Sequence, residues 1–146
     1  MKTHKTSLVG KSLDDFVDIC DIHNVERYRA EQIFNWIYKN KINDFESLKN
    51  IPKSFLKILK KQTIIHPLTF VRSTKSNSGL TNKFLLKTQS GLLIESVLMN
   101  EGSRTTLCLS NQVGCALDCK FCATAKMGFI ENLDSGEIVD QSLLIS

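Results

Sequence analysis

Over the first sixty residues the apolar positions recur at helical intervals; beyond Pro67 they shift to the two-residue period of strands. The first predicted helix has Ser12 as its N-cap, acids at Asp14 and Asp15, and Phe16, Val17, Ile19 and Cys20 on its apolar side. Cys20 lies within that stripe and is therefore expected in the core. A second helix over 27–39 places Ala30, Ile33, Phe34 and Ile37 at helical spacing, with Trp36 and Tyr38 nearby. A short helix over 44–48 ends before Pro52. The next, over 53–62, is amphipathic: Phe55, Ile58 and Leu59 oppose Lys53, Lys57, Lys60 and Lys61. Strands are predicted over 70–73, 83–87, 92–98 and 105–109, with turn-forming residues at 76–79 and 89–91. After Asn132, the positions of Ile138, Val139, Leu143 and Leu144 predict a helix face, with Ser135 as the expected N-cap. The chain stops inside that helix with no Gly or Pro beyond it, so the expectation is a piece of a longer protein.

Composition adds little to this order. At 146 residues and 42% hydrophobic content the chain suits a soluble domain, and no apolar run approaches the roughly 20 residues of a membrane span. The net charge of +4 is unevenly placed: five lysines and no acid lie between Lys49 and Lys61. Such a run reads either as a solvated helix face or as a surface that attracts RNA phosphate. No repeat or low-complexity segment stands out.

The cysteines change the picture. Gly114-Cys115-Ala116-Leu117-Asp118-Cys119-Lys120-Phe121-Cys122 holds three thiols at C-x3-C-x2-C spacing, one fewer than a closed zinc site or an ordinary four-cysteine cluster requires. Spacing alone leaves three readings open: an iron–sulfur cluster with one open iron, a zinc site, or structural cysteines. A zinc site would need a distant fourth ligand, since His66, the nearest histidine, lies 49 residues upstream of Cys115. Five cysteines, an odd number, and an opening Met1-Lys2-Thr3-His4-Lys5 without an apolar signal region point to a reducing, cytoplasmic setting.

From Thr106-Leu107-Cys108-Leu109-Ser110-Asn111-Gln112-Val113-Gly114 through the cysteine motif to Ala123-Thr124-Ala125-Lys126-Met127-Gly128-Phe129, the chain closely resembles the RlmN group of dual-specificity radical S-adenosylmethionine (SAM) RNA methyltransferases, relatives of the Cfr methyltransferases. The similarity continues upstream through 28–38 and downstream through 132–141. The fold implied is α/β: a helical accessory domain over 1–66, a β-rich connection over 67–103, and over 104–146 the start of a partial (β/α) barrel cut within its first helix. The resemblance implies that Cys115, Cys119 and Cys122 hold a 4Fe-4S cluster whose open iron takes SAM, and that Phe121 shields it. It implies methylation of adenine carbon 2 in 23S rRNA and in tRNA anticodon loops, by a monomer served by an external electron donor such as flavodoxin and needing no membrane.

Two further roles come from the resemblance alone. Glu95 matches the family's proton acceptor; by itself it reads as an outward carboxylate on an alternating strand. Cys108 matches the thiol that forms a transient disulfide with a cysteine near the family's C-terminus, releasing an RNA–protein crosslink; by itself it reads as a buried strand residue. Two alternatives remain at this stage: Cfr-like methylation at carbon 8, and a zinc-stabilised RNA-binding module. The residues from Cys115 to Cys119 and from Lys126 to Phe129 stand nearer to the carbon-2 group.

Overall fold

The computed structural model describes residues 5–117, 119–120 and 125–145. The positions of Phe121 and Cys122 therefore lie outside the described residues. The chain divides between Pro67 and Leu68 into two compact units.

The first unit is helical. Helices α1 (Leu13–Ile22), α2 (Tyr28–Tyr38) and α3 (Lys53–Gln62) are joined by a 3-10 turn at Phe45–Ser47, close to the spans that the apolar spacing predicts. Ser12 caps α1 as expected. Its hydroxyl accepts the Asp15 amide at 3.2 Å, and the Asp15 carboxylate accepts the Ser12 amide at 2.7 Å, satisfying two otherwise orphaned N–H groups. The Ser12 hydroxyl also donates to the Asp15 carboxylate at 2.8 Å, and this bond first, then that from the Ser12 amide, holds the Asp15 carboxyl below the usual carboxylate range. Phe16, Ala30, Ile33, Ile37, Phe55 and Leu59 are buried, and Phe16 meets Phe34 edge-on with ring centroids 6.0 Å apart. Cys20 is fully buried among them, and burial pushes its thiol pKa upward, so it is a poor thiolate and a core residue as expected. Strands β1 (Thr6–Ser7) and β2 (Thr63–Ile64) pair in parallel, and the ladder extends through Leu8 N–H to Ile64 C=O at 2.8 Å. Two-residue strands are too short to show any period, and the apolar pattern does not predict them.

The second unit is a four-stranded antiparallel meander covered on one face. Strands β3 (Thr69–Lys75), β4 (Thr81–Lys87), β5 (Leu93–Glu101) and β6 (Arg104–Cys108) lie in that order. The turn between Glu101 and Arg104 joins β5 to β6 in one sheet. Leu86 pairs with Ile94 on the covered face, and these two pack with Leu68, Val113 and Leu133 against partly buried Leu92, Ile138 and Leu144. Each fully buried branched side chain of this kind contributes about 1.5–3 kcal/mol. Strands β7 (Gln112–Gly114) and β8 (Phe129–Asn132) form a short antiparallel hairpin whose loop carries the cysteine motif, and helix α4 (Ser135–Ile145) follows.

Three expectations change here. Every strand pairing described in this unit is antiparallel. The architecture is mixed α and β, and the strand expected to run into the cysteine loop ends at Cys108, with β7 intervening. The N-cap of α4 is Asp134 and not Ser135: the Asp134 carboxylate accepts the Glu137 amide at 2.7 Å, and the Glu137 carboxylate accepts the Asp134 amide at 3.1 Å. The buried face of α4 is Gly136, Asp140, Gln141 and Ile145, whereas Val139 is exposed. Two polar side chains take the inward positions because each meets a backbone group. The Asp140 carboxylate accepts the Leu68 amide at 3.0 Å.

Candidate functional site

Strand register places Glu95 and Cys108 on the same, uncovered face of the sheet. Val97 lies opposite Cys108 and opposite Lys83 on the other side, and Glu95 is two residues from Val97, hence on its face. Its neighbours Ile94 and Ser96 point the other way and are buried. The Glu95 carboxylate forms an ion pair with Lys83 Nζ at 3.0 Å, both side chains about half exposed. A pair this open contributes little to stability and serves mainly to orient the carboxylate. Cys108 is exposed, contrary to the buried position that an isolated strand cysteine suggests.

The cysteine loop springs from a tight base. Gly114 has φ +74° and sits so close to Gly128 that a Cβ at this position would lie 1.8 Å from the Gly128 carbonyl oxygen. The same carbonyl accepts the Cys115 amide at 3.1 Å, closing the loop where the motif begins. Only a residue without Cβ permits both the left-handed backbone and this approach. Cys115 and Cys119 are free, half-buried thiols on the loop. Among the described residues no three ligand side chains converge on one point. As a donor set, accessible, unpaired thiols on a single short loop suit a thiolate-bound cluster. Cys20, Cys108, Cys115 and Cys119 carry no disulfide.

A cleft of about 280 Å³ lies between Glu95 and the base of the cysteine loop. Its walls come from Leu85, Leu93 and Glu95 of the sheet and from Gln112, Gly114 and Met127 at the base of the cysteine loop. The chain thus brings Glu95 to the mouth of the loop from a strand some twenty residues upstream (roughly, the span of a hairpin and a turn). Sequence reasoning misses Lys83. Alternation puts it outward on β4, but only the cross-strand register shows that it faces Glu95.

On α3, Lys53, Lys57 and Lys61 are exposed as the amphipathic pattern predicts. Lys60 differs: it forms an ion pair with Glu46, which leaves three of the four predicted cations without that neutralisation. No helix among the described residues is long and apolar enough to cross a membrane.

Residues 6–65 match the family described as Ribosomal RNA large subunit methyltransferase N-terminal domain. The chain is 39% identical over 137 residues to the probable dual-specificity RNA methyltransferase RlmN of Thermotoga neapolitana, covering 94% of this chain and 40% of that protein. It is 42% identical over 128 residues to the dual-specificity RNA methyltransferase RlmN of Desulfosudis oleivorans, covering 88% and 34% respectively. A crystal structure of a radical SAM methyltransferase from Sphaerobacter thermophilus superposes with a TM-score of 0.90 at 40% identity, over 95% of this chain and 41% of that one. The chain spans about 40% or less of the length of these relatives. Over that stretch, in sequence and in fold alike, it belongs to the RlmN methyltransferase family.

Proposed function

We propose that this chain is part of a radical SAM methyltransferase that methylates carbon 2 of an adenine in 23S rRNA and in tRNA anticodon loops. The observation that carries the reading is the cleft that joins Glu95 to the base of a loop bearing free thiols. Residues 1–66 would form the accessory domain, and the sheet and cysteine loop would lead into a partial (β/α) barrel completed by the rest of a longer protein. Cys115, Cys119 and Cys122 would hold the 4Fe-4S cluster, with Phe121 against it. The chemistry such a cluster supplies when bound is one-electron reductive cleavage of the SAM sulfonium, the electron arriving from an external donor such as a flavodoxin.

The chain's own residues have separate tasks in this scheme. Lys83 keeps the Glu95 carboxylate turned to the cleft, where it accepts a proton at an oxygen. Cys108, exposed on the same sheet face, offers a thiol to the sulfur that leaves the modified base. Lys53, Lys57 and Lys61 draw in the phosphate backbone, and the target adenine is read as an unpaired or extruded base.

Anaerobic reconstitution of the complete protein tests the assignment. Each of Cys115→Ala, Cys119→Ala and Cys122→Ala is expected to lose the absorption near 400 nm (roughly the thiolate-to-iron region) together with iron and sulfide. Full iron and sulfide in all three variants would overturn the cluster assignment, and stoichiometric zinc in the parent would favour the binding module instead. The α3 lysines are expected to act through salt-dependent RNA affinity. Neutralising Lys53, Lys57 and Lys61 should flatten the slope of log affinity against log salt by about one unit for each phosphate no longer neutralised, with Lys60 contributing least. An unchanged slope would return this helix to a solvated face.

A further inference from the structure

We propose that Gln141 is a positioning residue that locks the chain between Cys108 and Cys115 onto the back of the Glu95 strand. This rests on the functional reading above. Gln141 is fully buried on α4, and its carboxamide uses all its hydrogen-bonding capacity. The side-chain oxygen accepts the Ser110 amide at 2.8 Å and the Ser96 hydroxyl at 2.7 Å. The side-chain nitrogen donates to the Ser110 carbonyl at 2.8 Å and to the Glu137 carbonyl at 3.2 Å. Both main-chain groups of Ser110 are thus held by one side chain, as a neighbouring strand would hold them.

The placement explains why a buried amide is used here. Pairing between β5 and β6 runs from Glu101 and Arg104 to Val97 and Cys108 and then ends. Ser110 lies beyond the last rung, where its backbone would otherwise have no partner within the core. Gln141 takes over from the sheet at that point, and the Ser110 hydroxyl adds a bond to the Glu95 carbonyl at 2.7 Å. One helix residue therefore ties together the strand that carries Glu95, the segment that follows Cys108 and the approach to Cys115. A shift of about 1 Å in such a framework can cost roughly a hundredfold in rate without touching the reacting atoms.

Amide hydrogen exchange and steady-state kinetics on the complete methyltransferase test this. In the parent, the Ser110 amide should exchange as slowly as amides inside β5, although it lies outside any strand; exchange at the rate of an exposed loop would overturn the proposal. Gln141→Met keeps the length of the side chain and removes the amide. It should speed Ser110 exchange about tenfold or more, the effect of losing one or two buried hydrogen bonds. It should also lower kcat while leaving KM for RNA and iron content unchanged. Unaltered Ser110 exchange, or an unaltered kcat, would overturn the positioning role. Ser96→Ala, which cuts the bond from Gln141 to the Glu95 strand but leaves the Ser110 clamp and the Ser110 hydroxyl bond to the Glu95 carbonyl, should keep Ser110 protected and lower kcat by less than Gln141→Met does; an equal fall in kcat would mean general loosening of the core and would also overturn it. Should Gln141→Met not fold, the parent's exchange and Gln141→Glu, which keeps the volume and loses both donors, decide the matter. The exchange readout is independent of RNA methylation, so failure of the functional reading and failure of the clamp are distinguishable.

Discussion

Replacing Gly114 with alanine is expected to spring the base of the cysteine loop and strip the reconstituted protein of most of its iron. The backbone at φ +74° alone costs an alanine about 1–2 kcal/mol. The larger effect is steric. A Cβ 1.8 Å from the Gly128 oxygen and 2.9 Å from its carbonyl carbon cannot be accommodated by rotating a side chain, because both atoms are backbone. Gly128 must move, and it carries the acceptor for the Cys115 amide. The loop thus loses its closing bond next to the first thiol. Gly128→Ala is the matched comparison: its φ of +68° brings the same backbone penalty, but a Cβ there meets nothing within 4 Å. Iron content and the unfolding midpoint separate the two, with roughly 4–8 °C expected for each kcal/mol lost in a domain of this size. If Gly114→Ala held iron as well as Gly128→Ala, the close approach would have no role in shaping the loop.

Cys108→Ala should behave in the opposite way, leaving the fold intact and blocking turnover. Cys108 is exposed on the edge strand, so truncating its thiol opens no core cavity and should cost little stability. In the complete enzyme the variant is expected to retain its cluster and cleave SAM, yet to accumulate protein covalently joined to RNA, since no thiol is present to take up the sulfur leaving the adenine. On denaturing gels of protein purified from cells, the adduct would run as a slower band that nuclease removes. A variant that turns over at the parent rate with no adduct would reduce Cys108 to an ordinary surface residue.

Much of this protein follows from sequence alone because local rules dominate there. The three helices of the first unit are set by 3.6-residue apolar spacing and by the Ser12–Asp15 cap, both short-range effects. The four long strands follow from the change of period beyond Pro67, and the thiol motif from a spacing within one loop. The relationship of the motif to the RlmN family is likewise carried by consecutive residues.

What tertiary structure decides is which distant residues meet. The ion pair of Lys83 with Glu95, and the shared face of Glu95 and Cys108, depend on cross-strand register, which no single strand's alternation specifies. The short strands β7 and β8 have no readable period, so the loop's hairpin base emerges only when they pair. Asp140 and Gln141 read as the polar side of α4 by hydrophobicity, which judges a side chain by its transfer from water. Both turn inward because Leu68 and Ser110 present backbone groups where the sheet's own ladder does not reach: the Asp140 carboxylate accepts the Leu68 amide, and Gln141, with all its hydrogen-bonding positions used, is buried at little cost.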